Sequence, residues 1–223
     1  MKLTGISLSP YFERALITLD VKGALERVEL SLPPGSFGSP ELRAANPTGK
    51  IPYLTLDDGT FIPEGQIIVE YFNDIFEGPS LMPADALDAA RAKLLCRTID
   101  LYVGPQTSVL ARTITRRIRD EEAINTALEE GLPLGLNLVE SHITGENYAV
   151  GDVFSIGDAA LIPHMFHFLV FLKEFDVDVF TSRPKLAAWW EKQKESDTVK
   201  RSHARMAASL EFLRSRLAQT KAK

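Results

Sequence analysis

The hydrophobic pattern of the first 76 residues switches repeatedly between two periods. Lys2 to Ser7 is a short bounded run that predicts a strand. Tyr11 to Lys22 sets Ala15, Leu16 and Leu19 on one face and stops at Gly23, a helix with an end signal. From Arg27 to Leu32 the chain alternates: Val28, Leu30 and Leu32 are apolar, and Arg27, Glu29 and Ser31 polar. That predicts a half-buried strand. PPGSFGSP is a loop, and Pro40 to Ala45 forms one or two helical turns. Tyr53 to Leu56 and Thr60 to Ile62 flank Asp57-Asp58-Gly59, a hairpin signal. Glu64 to Phe76 is helical, with Ile67, Ile68, Tyr71, Phe72 and Ile75 on one side. The order is βαβαββα.

Past residue 84 the strand signals stop. EGPSLMPAD, residues 77 to 85, is rich in breakers and reads as a linker. Helical patterns follow over 86 to 118, 120 to 143, 156 to 174, 184 to 194 and 203 to 219. Gly104-Pro105 is expected to kink the first of these, because proline removes a ladder bond and clashes with the preceding turn. The expectation is an α+β unit over 1 to 77, then an all-α unit over 86 to 223.

Composition changes this picture little. The chain has 223 residues, 45% hydrophobic and 25% charged, which is ordinary for a globular protein with a sizeable core. The net charge is -5 and the cations are scattered, which argues against a nucleic-acid partner. The one basic run, Arg112 to Arg119, is followed at once by Asp120, Glu121 and Glu122 and reads as a solvated helix face. Cys96 is the only cysteine, so no intrachain disulfide forms. Its helical setting, LLCRTI, suits a buried thiol. MKLTGIS lacks the apolar stretch of a signal peptide, and no run of about 18 apolar residues exists. A cytoplasmic protein without a membrane partner is expected. His164 and His167 share a helix but have no third ligand nearby, so no metal is expected.

Candidate chemistry lies around Pro52 and Glu64. An X-Pro bond in a shaped turn is cis at modest cost; a trans proline opening an edge strand is the alternative. A cis bond ahead of the strand bends the chain and leaves the backbone of Ile51 free to pair with an extended ligand. Glu64 and Gly65 open a helix whose free N–H groups suit an anion. Glu64 suits a ligand ammonium, or is simply an acid at a helix start. A zwitterionic amino-acid end joined to an extended backbone would use all of these features.

Three stretches and one capping box resemble a known family. They are SPYFERALITLDVKG (9 to 23), NPTGKIPYL (46 to 54), IPEGQIIVEYF (62 to 72), and Ser155-Ile156-Gly157-Asp158 ahead of AALIPHMF. Together they resemble the cytosolic glutathione transferases over nearly the whole chain. SPYFER is similar to the omega-class pattern with serine for its cysteine, and Lys-Ile-Pro is similar to the tau class. The resemblance implies a thioredoxin-like domain followed by a helical bundle, glutathione as co-substrate, a homodimer and a role in detoxification.

It also implies site roles. Ser9 matches the residue that activates the glutathione sulfur, with Ser7 as the alternative; Ser9 is also an ordinary N-cap. A hydroxyl cannot form a disulfide, so conjugation of a hydrophobic electrophile is implied rather than thiol exchange. Phe12, Lys50, Ile51, Glu64 and Gly65 are the implied glutathione contacts. The family usually has serine after the acid; Gly65 here removes one hydroxyl donor, for which Gln66 or a water would compensate. Tyr11, Gln106 and Val109 are candidates to line the second-substrate pocket. The aromatics of HMFHFLVFLKEF (164 to 175) and the pair Trp189-Trp190 read as core. A non-catalytic carrier with a weakened glutathione site is the competing reading. The absence of a Cys-x-x-Cys pair argues against a redox protein.

Overall fold

The computed structural model describes residues 1 to 116 and 118 to 221. Arg117, inside the basic run, and the last two residues of the expected helical unit lie outside the described residues.

The first half contains β1 (Lys2–Thr4), α1 (Pro10–Val21), β2 (Glu29–Ser31), α2 (Pro40–Ala45), β3 (Tyr53–Thr55), β4 (Phe61–Pro63) and α3 (Gly65–Ile75). The strands lie in the order β2-β1-β3-β4. β1 pairs with β2 in parallel, which requires the α1 crossover, and with β3 antiparallel. β3 and β4 form the expected hairpin, with Gly59 at φ 84° and the Thr60 N–H bonded to Asp58 Oδ1 at 2.8 Å. This is the thioredoxin-like arrangement.

The second half is helical: α4 (Ala86–Thr98), α5 (Gly104–Thr115), α6 (Glu121–Thr126), α7 (Leu132–His142), α8 (Ile156–Val170), α9 (Pro184–Gln193) and α10 (Asp197–Lys221). The capping box at α8 forms. The Ser155 hydroxyl accepts from the Gly157 N–H, and the Asp158 carboxylate accepts from the Ser155 N–H. Asp158 also accepts from the Ala149 N–H and from Trp189 Nε1, both at 2.8 Å, so one buried acid ties α9 and the preceding loop to the start of α8.

Several local expectations change. β2 is an edge strand, and Leu30 and Leu32 are 46% and 75% exposed rather than inward. In α3 the buried face is Ile68, Val69 and Phe72, while Ile67 and Ile75 face water. The break at Gly104-Pro105 is a π-helical turn, Ile99–Val103, that hands the chain from α4 to α5 and puts Pro105 near the new N-terminus. A second π turn, Ala127–Gly131, precedes Pro133 in the same way. The last helix starts at Asp197, six residues before its apolar pattern becomes clear.

A continuous core links the two halves, from Leu3, Leu54 and Phe72 through Leu16 to Leu95, Ile99 and Leu161. At its centre lies α1, buried without interruption from Phe12 to Leu19. Its charged side chains therefore take partners from the helical half. Arg14 is fully buried and meets Asp100 through two bonds, of 2.7 and 3.2 Å. Glu13, also fully buried, accepts from Arg205 Nε at 2.8 Å, and Arg205 Nη1 reaches Asp20 at 2.7 Å.

Burial pushes the Glu13 carboxyl up to about 7, against the pull of Arg205. The folded state therefore favours the protonated acid. Stability from this group is lost as pH rises from its ordinary 4.5 toward about 7 and changes little beyond. Denaturant unfolding of the wild type should weaken across that window relative to Glu13→Gln, which carries no such titration. Parallel pH profiles for the two proteins would contradict the assignment.

Candidate functional site

Ser9 stands at the N-cap of α1 with extended backbone, and Pro10 follows it. Its backbone is tied down on both sides. The Ser9 N–H donates to the Ile6 carbonyl at 2.9 Å, and its own carbonyl accepts from the Phe12 and Glu13 N–H groups. Its side chain makes no capping bond. Among the described residues the hydroxyl has no hydrogen-bond partner, and the residue is half-buried. Pro10 has no N–H, so Tyr11 supplies the first donor of the helix, and that N–H has no backbone partner among the described residues. A free hydroxyl and a free amide thus share the start of a twelve-residue helix, whose dipole favours an anion there.

The Ile51-Pro52 bond is cis. Tyr53 is the first residue of β3 on the ladder, so Ile51 lies just outside it, and its N–H and C=O carry no backbone bond among the described residues. The loop before it is held by Asn46, whose amide donates to the Lys50 carbonyl at 2.9 Å. The Ile51 side chain packs with Leu42, Tyr53 and the half-buried Ile6, the residue whose carbonyl anchors Ser9. The free edge and the free hydroxyl are therefore neighbours through Ile6. The Lys50 side chain points to water.

Glu64 precedes α3 at φ 71°, a strained conformation for a non-glycine residue, and is exposed. Gly65 follows against α1. A Cβ on it would lie 2.6 Å from the Tyr11 carbonyl oxygen, a backbone atom with little room to yield. The missing serine thus has a packing cause. Gln66 does not replace its hydroxyl. Its Oε1 accepts from Arg14 and its Nε2 donates to Glu70, so both ends are engaged.

Two other expected contacts change. Phe12 is 3% exposed and its ring fills the space over Gly5, so it belongs to the core and not to a glutathione surface. Gln106 packs its amide against Gly131, on the seam between α5 and the turn before α7. Val109 is half-buried against the main core. Tyr11 stands between the two halves: its hydroxyl lies over Gly104, its ring meets His164 edge-on at 5.7 Å, and Arg14 sits 5.1 Å from the ring centre. Burial pushes its hydroxyl up to about 12, so it stays protonated.

Cys96 is buried, donates to the Ile156 carbonyl at 3.3 Å and is pushed by burial up to about 12, which suits a structural thiol. Among the described residues no group of three or more His, Cys, Asp or Glu is placed to hold a metal, and no helix is long and apolar enough to cross a membrane. A depression of about 390 Å³ lined by Leu132, Asn137 and Arg183 lies on the helical half and shares no residue with the Ser9 site; the free polar groups, not the hollow, mark the site.

Residues 3–80 match the family model of the glutathione S-transferase N-terminal domain, and residues 105–197 that of the C-terminal domain. Glutathione S-transferase 3 of Zea mays is 30% identical over 201 residues, covering 86% of this chain and 87% of that one. The chain belongs to the glutathione S-transferase family. A probable glutathione S-transferase of Nicotiana tabacum is 27% identical over 218 residues, covering 97% of this chain and 93% of the relative. The solved tau-class transferase of mango, Mangifera indica, superposes with a TM-score of 0.73 at 29% identity, covering 96% of each chain. The protein is thus a glutathione S-transferase, of a family that uses glutathione as co-substrate.

In this transferase Gly65 is set by the approach of α1. Gly65→Ser should lower stability by about 1–3 kcal/mol through overpacking and should not tighten glutathione binding. Denaturant unfolding and calorimetric titration measure the two effects. Tighter binding at unchanged stability would show that the Tyr11 carbonyl is no obstacle.

Proposed function

We propose that Ser9 activates the glutathione sulfur for attack on a hydrophobic electrophile. The observation carrying this reading is the uncommitted Ser9 hydroxyl beside the free Tyr11 N–H at the start of α1. A donor aimed at sulfur favours thiolate over thiol, and the helix N-terminus acts in the same direction. A free thiol has a pKa of about 8.5, so a drop of about two units corresponds to about 2.7 kcal/mol. The thiol proton leaves to solvent. The thiolate pair then forms a bond to the electrophilic carbon, and the leaving group, a halide or an ether or thioether fragment, departs with its bonding pair.

In this reading the unit over 1 to 77 binds glutathione. The Ile51 backbone pairs with the cysteinyl part, Glu64 takes the γ-glutamyl ammonium, the Gly65 N–H faces the γ-glutamyl carboxylate, and Lys50 is within the reach of a flexible side chain for the glycyl carboxylate. The unit over 86 to 223 supplies the apolar wall, with Tyr11 between the two. The serine-type, tau-like assignment draws support from the mango structure. The working form is proposed to be a cytoplasmic homodimer, with exposed Ile67 and Leu101 beside the Gln66–Arg14–Asp100 link as apolar surface for a second copy; sedimentation measures its mass.

Ser9→Ala should lower kcat/KM with glutathione and an aromatic halide by about 100-fold, the scale for losing one preorganised donor to a developing anion. Ser9→Cys should shift activity toward reduction of glutathione mixed disulfides. Full activity in Ser9→Ala, with loss in Ser7→Ala, would move the role to Ser7. A wild type that binds apolar ligands but not millimolar glutathione would favour the carrier reading, which the glycine at 65 and the engaged Gln66 support.

A further inference from the structure

His167 of α8 reaches across the molecule to the loop that carries Ser9. Its Nε2 lies 2.9 Å from the Leu8 carbonyl oxygen, 159 residues away in sequence. A carbonyl only accepts, so Nε2 carries the proton and donates. Nδ1 is buried without a partner among the described residues, and the ring is wedged against Phe171, centroids 4.7 Å apart, with Phe166 and His164 further out. Burial pushes this imidazole down to about 4, so it stays neutral. Leaving one ring nitrogen of a buried histidine unpaired carries a desolvation cost, which the Nε2–H bond to Leu8 partly offsets.

Leu8 is held a second time through its side chain. It plugs into a small apolar cluster of the helical half, with Ala111, Phe166, Phe171, Met206 and Leu210. The next residue is Ser9, whose N–H closes the turn onto Ile6. Among the described residues His167 is the one donor to the Leu8 carbonyl oxygen. The planar peptide between Leu8 and Ser9 is thus held at both of its polar groups, by the local bond from the Ser9 N–H to Ile6 and by one donor from the opposite half.

We infer that His167 is a positioning residue for the activating hydroxyl: its Nε2–H fixes the Leu8–Ser9 peptide and thereby aims Ser9 at the glutathione sulfur. This rests on the proposed role of the Ser9 turn and extends it to a residue that touches no substrate. Leu8 lies between Ser7 and Ser9, so the strap acts on whichever serine faces the sulfur.

Three variants test it. His167→Leu keeps an apolar filling and removes the donor; His167→Gln keeps an N–H near the Nε2 position. In His167→Leu, kcat with an aromatic halide should fall tenfold or more while KM for glutathione changes less than threefold, and the acid limb of kcat/KM should move to higher pH. His167→Gln should recover kcat to within about threefold of wild type. Adding His167→Leu to Ser9→Ala should cost little more, because both act through one hydroxyl. In the apo protein, hydrogen exchange at the Ser9 amide should speed up tenfold in His167→Leu and not in His167→Gln. That arm reads the strap even where the activity reading fails. A loss of stability with kcat, pH limb and Ser9 exchange unchanged would overturn the inference. So would a Gln variant no better than Leu.

Discussion

Helix α1 has no solvent face, and most of the molecule is organised around that constraint. Eight consecutive residues, Phe12 to Leu19, are buried, and they include an arginine and a glutamate. A lone charge in such a place is expensive, and removing one member of a buried pair typically costs about 3–5 kcal/mol. The chain answers with Asp100 from the π turn for Arg14 and with Arg205 from α10 for Glu13. Both partners come from the helical half. The two halves are thus joined by polar bonds as well as apolar area, and α1 is positioned from both sides at once. Its N-terminus, where the proposed chemistry sits, inherits that rigidity.

The candidate site is built largely from backbone. In the proposed reading Ile51 offers its peptide groups, Tyr11 its N–H, Gly65 the absence of a side chain, and only Ser9 and Glu64 contribute side-chain chemistry. Backbone groups of this kind hold their aim because neighbouring elements fix them: β3 beyond the cis Ile51-Pro52 bond, the Asn46 loop before it, the Ile6 turn under Ser9. The same packing explains why the glutathione side departs from the usual Glu-Ser pair. The carbonyl of Tyr11 occupies the room a side chain at 65 would need.

The sequence made the element order legible because it depends on local signals: periodicity, the Asp58-Gly59 turn, the Ser155-Asp158 box. The candidate residues Ser9, Ile51, Glu64 and Gly65 drew notice in the sequence because each sits at a boundary between elements. What it hid depends on distant partners. Phe12 is apolar in a helix, and only the approach of Gly5 shows that its ring points inward. Gln66 looked free until Arg14 was seen to reach it. Leu30 and Leu32 alternate like inward residues, yet Leu30 lies on an edge strand, Leu32 just past its end, and both are exposed. Arg14, His167 and Arg205 have no local signature, since their partners lie far away in sequence. The π turns are likewise invisible to a pattern that records only apolar spacing.

The most direct test follows the ultraviolet absorbance of the thiolate of bound glutathione across pH, in the wild type and in Ser9→Ala. The account predicts a bound thiol that ionises well below its free value of about 8.5 in the wild type and returns toward it in the variant. A bound thiol that titrates at its free value in both proteins would contradict it.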